Sequence, residues 1–100
     1  MEEILELLEK IKAEVKAEKN RAEVRLDMLE TEYAQISEKY EQAEDDMTIS
    51  DEDFQAISSK SAEVSKNYNR QKYDLHTIIE ARRALNDVIS RLTSYAAEWD

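Results

Sequence analysis

The groups able to do chemistry in this 100-residue chain are carboxylates, hydroxyls and one imidazole, since there is a single His and Cys is 0. A zinc centre takes three or four nitrogen, sulfur or carboxylate donors held close together, and His76 has no second histidine and no thiolate to share a metal with. A di-iron or di-manganese bundle requires Glu-x-x-His pairs on facing helices, whereas Tyr73 stands three residues before His76. With Gly 0 there is neither a P-loop nor a dinucleotide fingerprint, because both bring bare backbone against phosphate. The serines lack a convergent base, and carboxylates on a solvated helix lack the burial that separates the pKa values of an acid and a base. The expectation is no enzyme, no cofactor and no metal centre.

One cluster stands out by charge. Glu41, Glu44, Asp45, Asp46, Asp51, Glu52 and Asp53 place seven carboxylates within thirteen residues, and no Lys or Arg occurs from Tyr40 to Ser59. Such a field attracts a basic protein surface or weakly holds a divalent cation; it equally serves as a solvated turn whose acids cap a helix. An EF-hand is not indicated, since its loop needs a central glycine. Lys10, Lys12, Lys16, Lys19, Arg21 and Arg25 alternate with Glu14, Glu18 and Glu23, which reads as a salt-bridged exposed face and not as a track for phosphates. The formal net charge of -10 also disfavours direct nucleic-acid or membrane binding and points to a partner protein with a basic surface.

These groups sit on a chain built for helix. Gly 0 and Pro 0 remove the residues that most often end helices, and 38% charged residues beside 41% hydrophobic ones is a coiled-coil composition. No stretch reaches the ~20 apolar residues of a membrane span, and the acidic start Met1-Glu2-Glu3 is unlike a basic signal peptide, so a cytoplasmic location is expected. In the first half Ile4, Leu8, Ile11 and Val15 form an apolar stripe. It resumes after a polar stretch at Ala22, Leu26, Leu29, Tyr33, Ile36, Tyr40, Ala43 and Met47, with one extra four-residue step, a stutter. In the second half Phe54, Ile57, Ser61, Val64, Tyr68, Gln71, Leu75, Ile78, Arg82, Leu85, Ile89, Leu92, Ala96 and Trp99 repeat at four-three spacing without a break.

Ser50, followed by Asp51, Glu52 and Asp53, is an N-cap with acids placed against the positive end of a helix dipole. Glu44, Asp45 and Asp46 oppose the dipole at the end of the preceding helix, and the β-branched Thr48 and Ile49 weaken helix between them. The spacing predicts one all-α domain over 1–100: helix 2–46, an acidic turn at 47–50 and helix 51–98, folded as a long antiparallel coiled-coil hairpin. Facing residues then have numbers totalling about 97, which sets Arg82 near Glu14 and Glu18. Because the four-three phase also runs through Met47, Ser50 and Phe54, one continuous helix in a parallel coiled coil stays open, as does a three-helix form broken near Asn67 and Asn69.

Two helices touching along one seam leave much apolar surface wet. Leu5, Leu7, Ile79, Ala81, Val88 and Tyr95 widen the apolar face near the termini, which predicts self-association into a four-helix-bundle homodimer. The general look resembles coiled-coil adaptors, scaffolds, small assembly chaperones and helical inhibitors, without a motif that selects one. The expected function is a protein-interaction or assembly module acting through helix packing and the acidic turn. The alternative is a small acidic inhibitor that mimics nucleic acid in the channel of a basic enzyme.

Overall fold

The computed structural model describes residues 1–99, with side chains through Glu98. Helix α1 spans Glu2–Asp45 and helix α2 spans Asp51–Trp99, and the chain reverses between them, so the two pack as an antiparallel hairpin. The continuous rod and the three-helix form are thereby excluded: α2 runs unbroken through Asn67 and Asn69.

The reversal occurs where the local chemistry opposes helix. The last turn of α1 has no basic residue to offset the dipole. The Asp46 carboxylate accepts hydrogen bonds from the Thr48 backbone N–H at 2.9 Å and from the Thr48 hydroxyl at 2.6 Å, an Asx turn that competes with the helical ladder. Among the described residues none takes a positive φ, so the turn is made without the left-handed cap that usually closes a helix. Helix α2 then starts on the Ser50 cap, whose Oγ accepts the Asp53 N–H at 3.1 Å. Replacing Ser50 by Ala is expected to lower stability by ~1 kcal/mol, with Ser50→Asp restoring it; urea unfolding reads both, and an unchanged midpoint in the alanine variant contradicts the cap.

The helices divide into two units, each an antiparallel pair: Met1–Ala22 with α2 from Asp74 onward, called here the terminal unit, and Glu23–Tyr73, the turn unit. In the turn unit the seam is Leu26, Leu29, Ile36, Tyr40 and Ala43 against Phe54, Ile57, Ser61, Val64 and Tyr68, all buried or half-buried. Aromatic rings strengthen it: Tyr33 stacks on Tyr68 with centroids 5.2 Å apart, and Tyr40 meets Phe54 at 5.8 Å. Met47, expected on the seam, is fully exposed, and Ile49 turns inward to line a cavity with Ala43 and Ile57. Met47 lies past the last helical residue, so the helical period no longer fixes its direction.

In the terminal unit the seam differs from the expected stripe. Leu5, Leu8, Lys12, Val15, Lys19 and Ala22 are buried or half-buried, while Ile4 and Ile11 are 52% and 39% exposed. Four-three spacing then continues along α1 with no stutter. The extra step disappears because Lys12 and Lys19, both half-buried, occupy seam positions, which their long aliphatic stems permit. On α2, Leu75, Ile78, Arg82, Leu85, Ile89, Leu92 and Ala96 keep the predicted seam, and the Trp99 side chain lies outside the described residues.

Candidate functional site

Very little of this chain is buried. Among the described residues the buried hydrophobic ones are Ala22, Ile36, Ala43, Val64 and Ile89, and Val64 is the largest fully buried side chain. The surface left in water is 7804 Å², about a third more than the roughly 5,900 Å² of a compact monomer of 11.7 kDa. Exposed apolar surface is therefore the first place to look for function.

Around the terminal unit that surface is organised. Ile4, Leu7 and Ile11 form a second stripe on α1, about a third of a turn from the seam, and Leu7 is 58% exposed. On α2 the residues Ala81, Ala84, Val88 and Tyr95 are exposed at corresponding positions. Heptad geometry places the two stripes on one side of the helix pair. Ile4 and Ile11 immediately precede the seam residues Leu5 and Lys12, just as Ala81, Val88 and Tyr95 precede Arg82, Ile89 and Ala96. In an antiparallel pair, positions of this kind on the two helices face each other across the same flank. The turn unit displays the rule directly: Glu32 precedes Tyr33, Lys60 precedes Ser61, and the two form an ion pair at 3.7 Å.

Of the residues expected to widen the terminal face, Leu7, Ala81, Val88 and Tyr95 are exposed on this flank. Leu5 is half-buried in the seam, and Ile79, half-buried, belongs to the opposite flank. Ile4, Ile11 and Ala84 are the members that sequence reasoning missed. Their signal was present, since placing the seam on Leu5 and Lys12 removes the stutter and turns both isoleucines outward.

The opposite flank carries a polar groove. Glu9, Lys12, Ala13, Lys16 and Arg82 line a cavity of about 180 Å³. The buried Nε of Arg82 and the buried Oδ1 of Asn86 have no hydrogen-bond partner. The carboxylates expected beside Arg82 do not reach it: Glu14 is exposed on the apolar flank, and Glu18 is held by Arg21 at 2.7 Å. Gln71, another polar seam residue, accepts a 3.5 Å hydrogen bond from Arg25 Nε. His76 is exposed.

All seven acidic residues of the reversal, Glu41, Glu44, Asp45, Asp46, Asp51, Glu52 and Asp53, are exposed. They sit near one another in sequence without converging. Among the described residues no group of three or more His, Asp or Glu side chains is arranged to hold a metal ion, so the divalent-cation reading of this segment has no site behind it. Two titrations are shifted in the turn unit. The Thr48 hydroxyl, and after it the Thr48 N–H, hold the Asp46 carboxyl below the usual 3.8. The Tyr68 hydroxyl donates to Glu30 at 3.1 Å, and that bond to a carboxylate, with partial desolvation and the negative charge itself, raises Tyr68 above 10.0.

The signs give opposite pH windows. Asp46 has a depressed folded pKa, so its support for the turn is complete above the ordinary carboxylate range and is lost as pH falls through the folded value. Tyr68 has a raised folded pKa, so its support is complete below about 10 and is lost as pH rises through the folded value. In a Thr48→Val variant the Asp46 pKa is expected to climb back toward 3.8. Carboxyl-carbon NMR titration reads this, and an unchanged value rules out the hydroxyl as the main cause.

The fold defines an all-α helical hairpin with an exposed apolar flank in its terminal unit. Compared with protein-family models, with curated proteins and with solved structures, the chain matches none. Among the described residues no helix is long and apolar enough to cross a membrane.

Proposed function

We propose that this chain is a non-enzymatic assembly module that forms a homodimer through its terminal unit and presents its acidic turn to the basic surface of another protein. The exposed stripe pair Ile4, Leu7, Ile11 and Val88, Tyr95 carries the reading, because an apolar face spanning two helices is what a four-helix bundle covers. The scarcity of buried side chains adds a thermodynamic reason: a pair with five buried apolar residues among those described has little core with which to offset the ordering of so long a backbone. Light scattering on the eluting peak at micromolar concentration is expected to give twice 11.7 kDa, and a strictly monomeric, fully helical species overturns the reading.

The acidic turn supports the partner half of the proposal, and also the second reading, an inhibitor that mimics nucleic acid. Its seven carboxylates are exposed, with no lysine or arginine from Tyr40 to Ser59. Either use predicts binding to a basic protein that weakens steeply with added salt. Competition of that binding by DNA or RNA selects the inhibitor; indifference to nucleic acid selects the module.

A further inference from the structure

We infer that the two copies pair antiparallel, each α1 stripe lying on the α1 of the second copy and each α2 stripe on its α2. This deepens the homodimer reading and rests on it. The α1 stripe is self-complementary under that arrangement. On α1, a two-fold axis beside Leu7 carries Ile4 onto Ile11 of the second copy and brings the two Leu7 side chains together. On α2, an axis between Ile89 and Ser90 carries Tyr95 onto Ala84 of the second copy, setting a large side chain over a small one as close packing requires, and carries Val88 onto Arg91.

The two axes are one. Within the terminal unit Arg82 shares its groove with Lys12 and Lys16, a register in which facing residues have numbers totalling about 97 to within a turn. In that register Leu7 and the Ile89–Ser90 midpoint lie at the same level, so one rotation satisfies both helices, as an isologous interface demands. The same rotation sets Glu3 of each copy near Lys10 of the other along the outer edge, both exposed. The apolar side chains supply on the order of 500 Å² per copy before the polar rim is counted, set against ~800 Å² per partner in a standard interface.

A parallel pair fits less well. It lays α1 over α2 of the second copy, where Leu7 meets Arg91 and Val88 and Ile11 meets Ala84 and Val88, and it gives up the contact of the two Leu7 side chains and the approach of Glu3 to Lys10.

The chain has no cysteine, so single thiols report the arrangement without background. Leu7→Cys in a glutathione redox buffer is expected to form a covalent dimer at least tenfold more readily than Met47→Cys, which sits at a fully exposed position of the turn. An equimolar mixture of Ile4→Cys and Ile11→Cys is expected to cross-link between the two variants. Cross-linking of Leu7→Cys to Val88→Cys, with none of Leu7→Cys to itself, overturns the antiparallel arrangement and leaves the dimer standing. A wild-type mass of 11.7 kDa in solution instead removes the dimer and this inference together.

Discussion

Val64→Asp is expected to abolish the folded hairpin at micromolar concentration and 25 °C, seen as loss of most of the helical circular dichroism. Val64 is 2% exposed and is the largest fully buried side chain, in the turn unit beside a cavity that it lines with Glu32, Ile36, Lys39 and Lys60. Placing a carboxylate at so buried a position costs several kcal/mol in desolvation, a large part of what any small domain has in reserve. The milder Val64→Ala removes the same contacts without adding charge and is expected to cost ~2 kcal/mol, from lost transfer energy and the cavity left behind. If Val64→Asp keeps wild-type helicity and midpoint, Val64 is not at the centre of a packed seam.

The second large effect concerns association. A Leu7→Lys variant carrying Ile4→Lys as well is expected to weaken the dimer by about a thousandfold or more, since each substitution occurs twice across a two-fold interface and each buried side chain is worth ~1.5–3 kcal/mol. The control is a Val24→Lys, Met28→Lys variant. These residues are 60% and 69% exposed, more than Ile4 or Leu7, but lie in the turn unit away from the stripe. In an isolated hairpin both variants are ordinary surface changes worth within ~0.5 kcal/mol. A difference between them therefore measures the interface, and equal behaviour by sedimentation equilibrium counts against the stripe.

The parts of this molecule that were legible in sequence are those where local chemistry and global packing agree. Ser50 with its three following acids marked the start of α2, and the observed bond from Asp53 N–H to Ser50 Oγ is the cap that pattern encodes. The α2 seam was legible because its repeat is unbroken and its polar members are few. The predicted turn at 47–50 begins one residue late, since Asp46, read as the end of α1, leaves the helix to bond Thr48.

The α1 seam was misread near its start for a physical reason. Isoleucine is more apolar than lysine, so the hydrophobic pattern favours Ile4 and Ile11 over Leu5 and Lys12. A helix pair, however, buries what its shared register brings to the contact, and lysine stems can occupy a seam when their ammonium groups reach water. Choosing the register that continues to Ala22 without an added step recovers the observed seam and frees the isoleucines for a second surface. Arg82 defeated the reading in another way. Its expected carboxylates, Glu14 and Glu18, are close in sequence level but lie on a different flank or are held by Arg21, which the total of residue numbers alone does not reveal.

The acidic reversal shows what sequence clustering leaves open. Seven carboxylates in thirteen residues announce a strong field, and their local roles are now specific: Asp46 ties down Thr48, while Asp51, Glu52 and Asp53 fill the first turn of α2 where the dipole favours them. Neither role consumes the charge. All seven side chains stay in water, where they make a strong local negative field.

The claim that matters most is that this hairpin completes its burial with a second copy, and the dependence of thermal unfolding on protein concentration tests it most directly. Followed by circular dichroism from one micromolar to a few hundred micromolar, the midpoint is expected to rise steadily, because mass action stabilises a species that unfolds and dissociates together. A midpoint that stays constant across that range, with helicity already complete at the lowest concentration, contradicts the account.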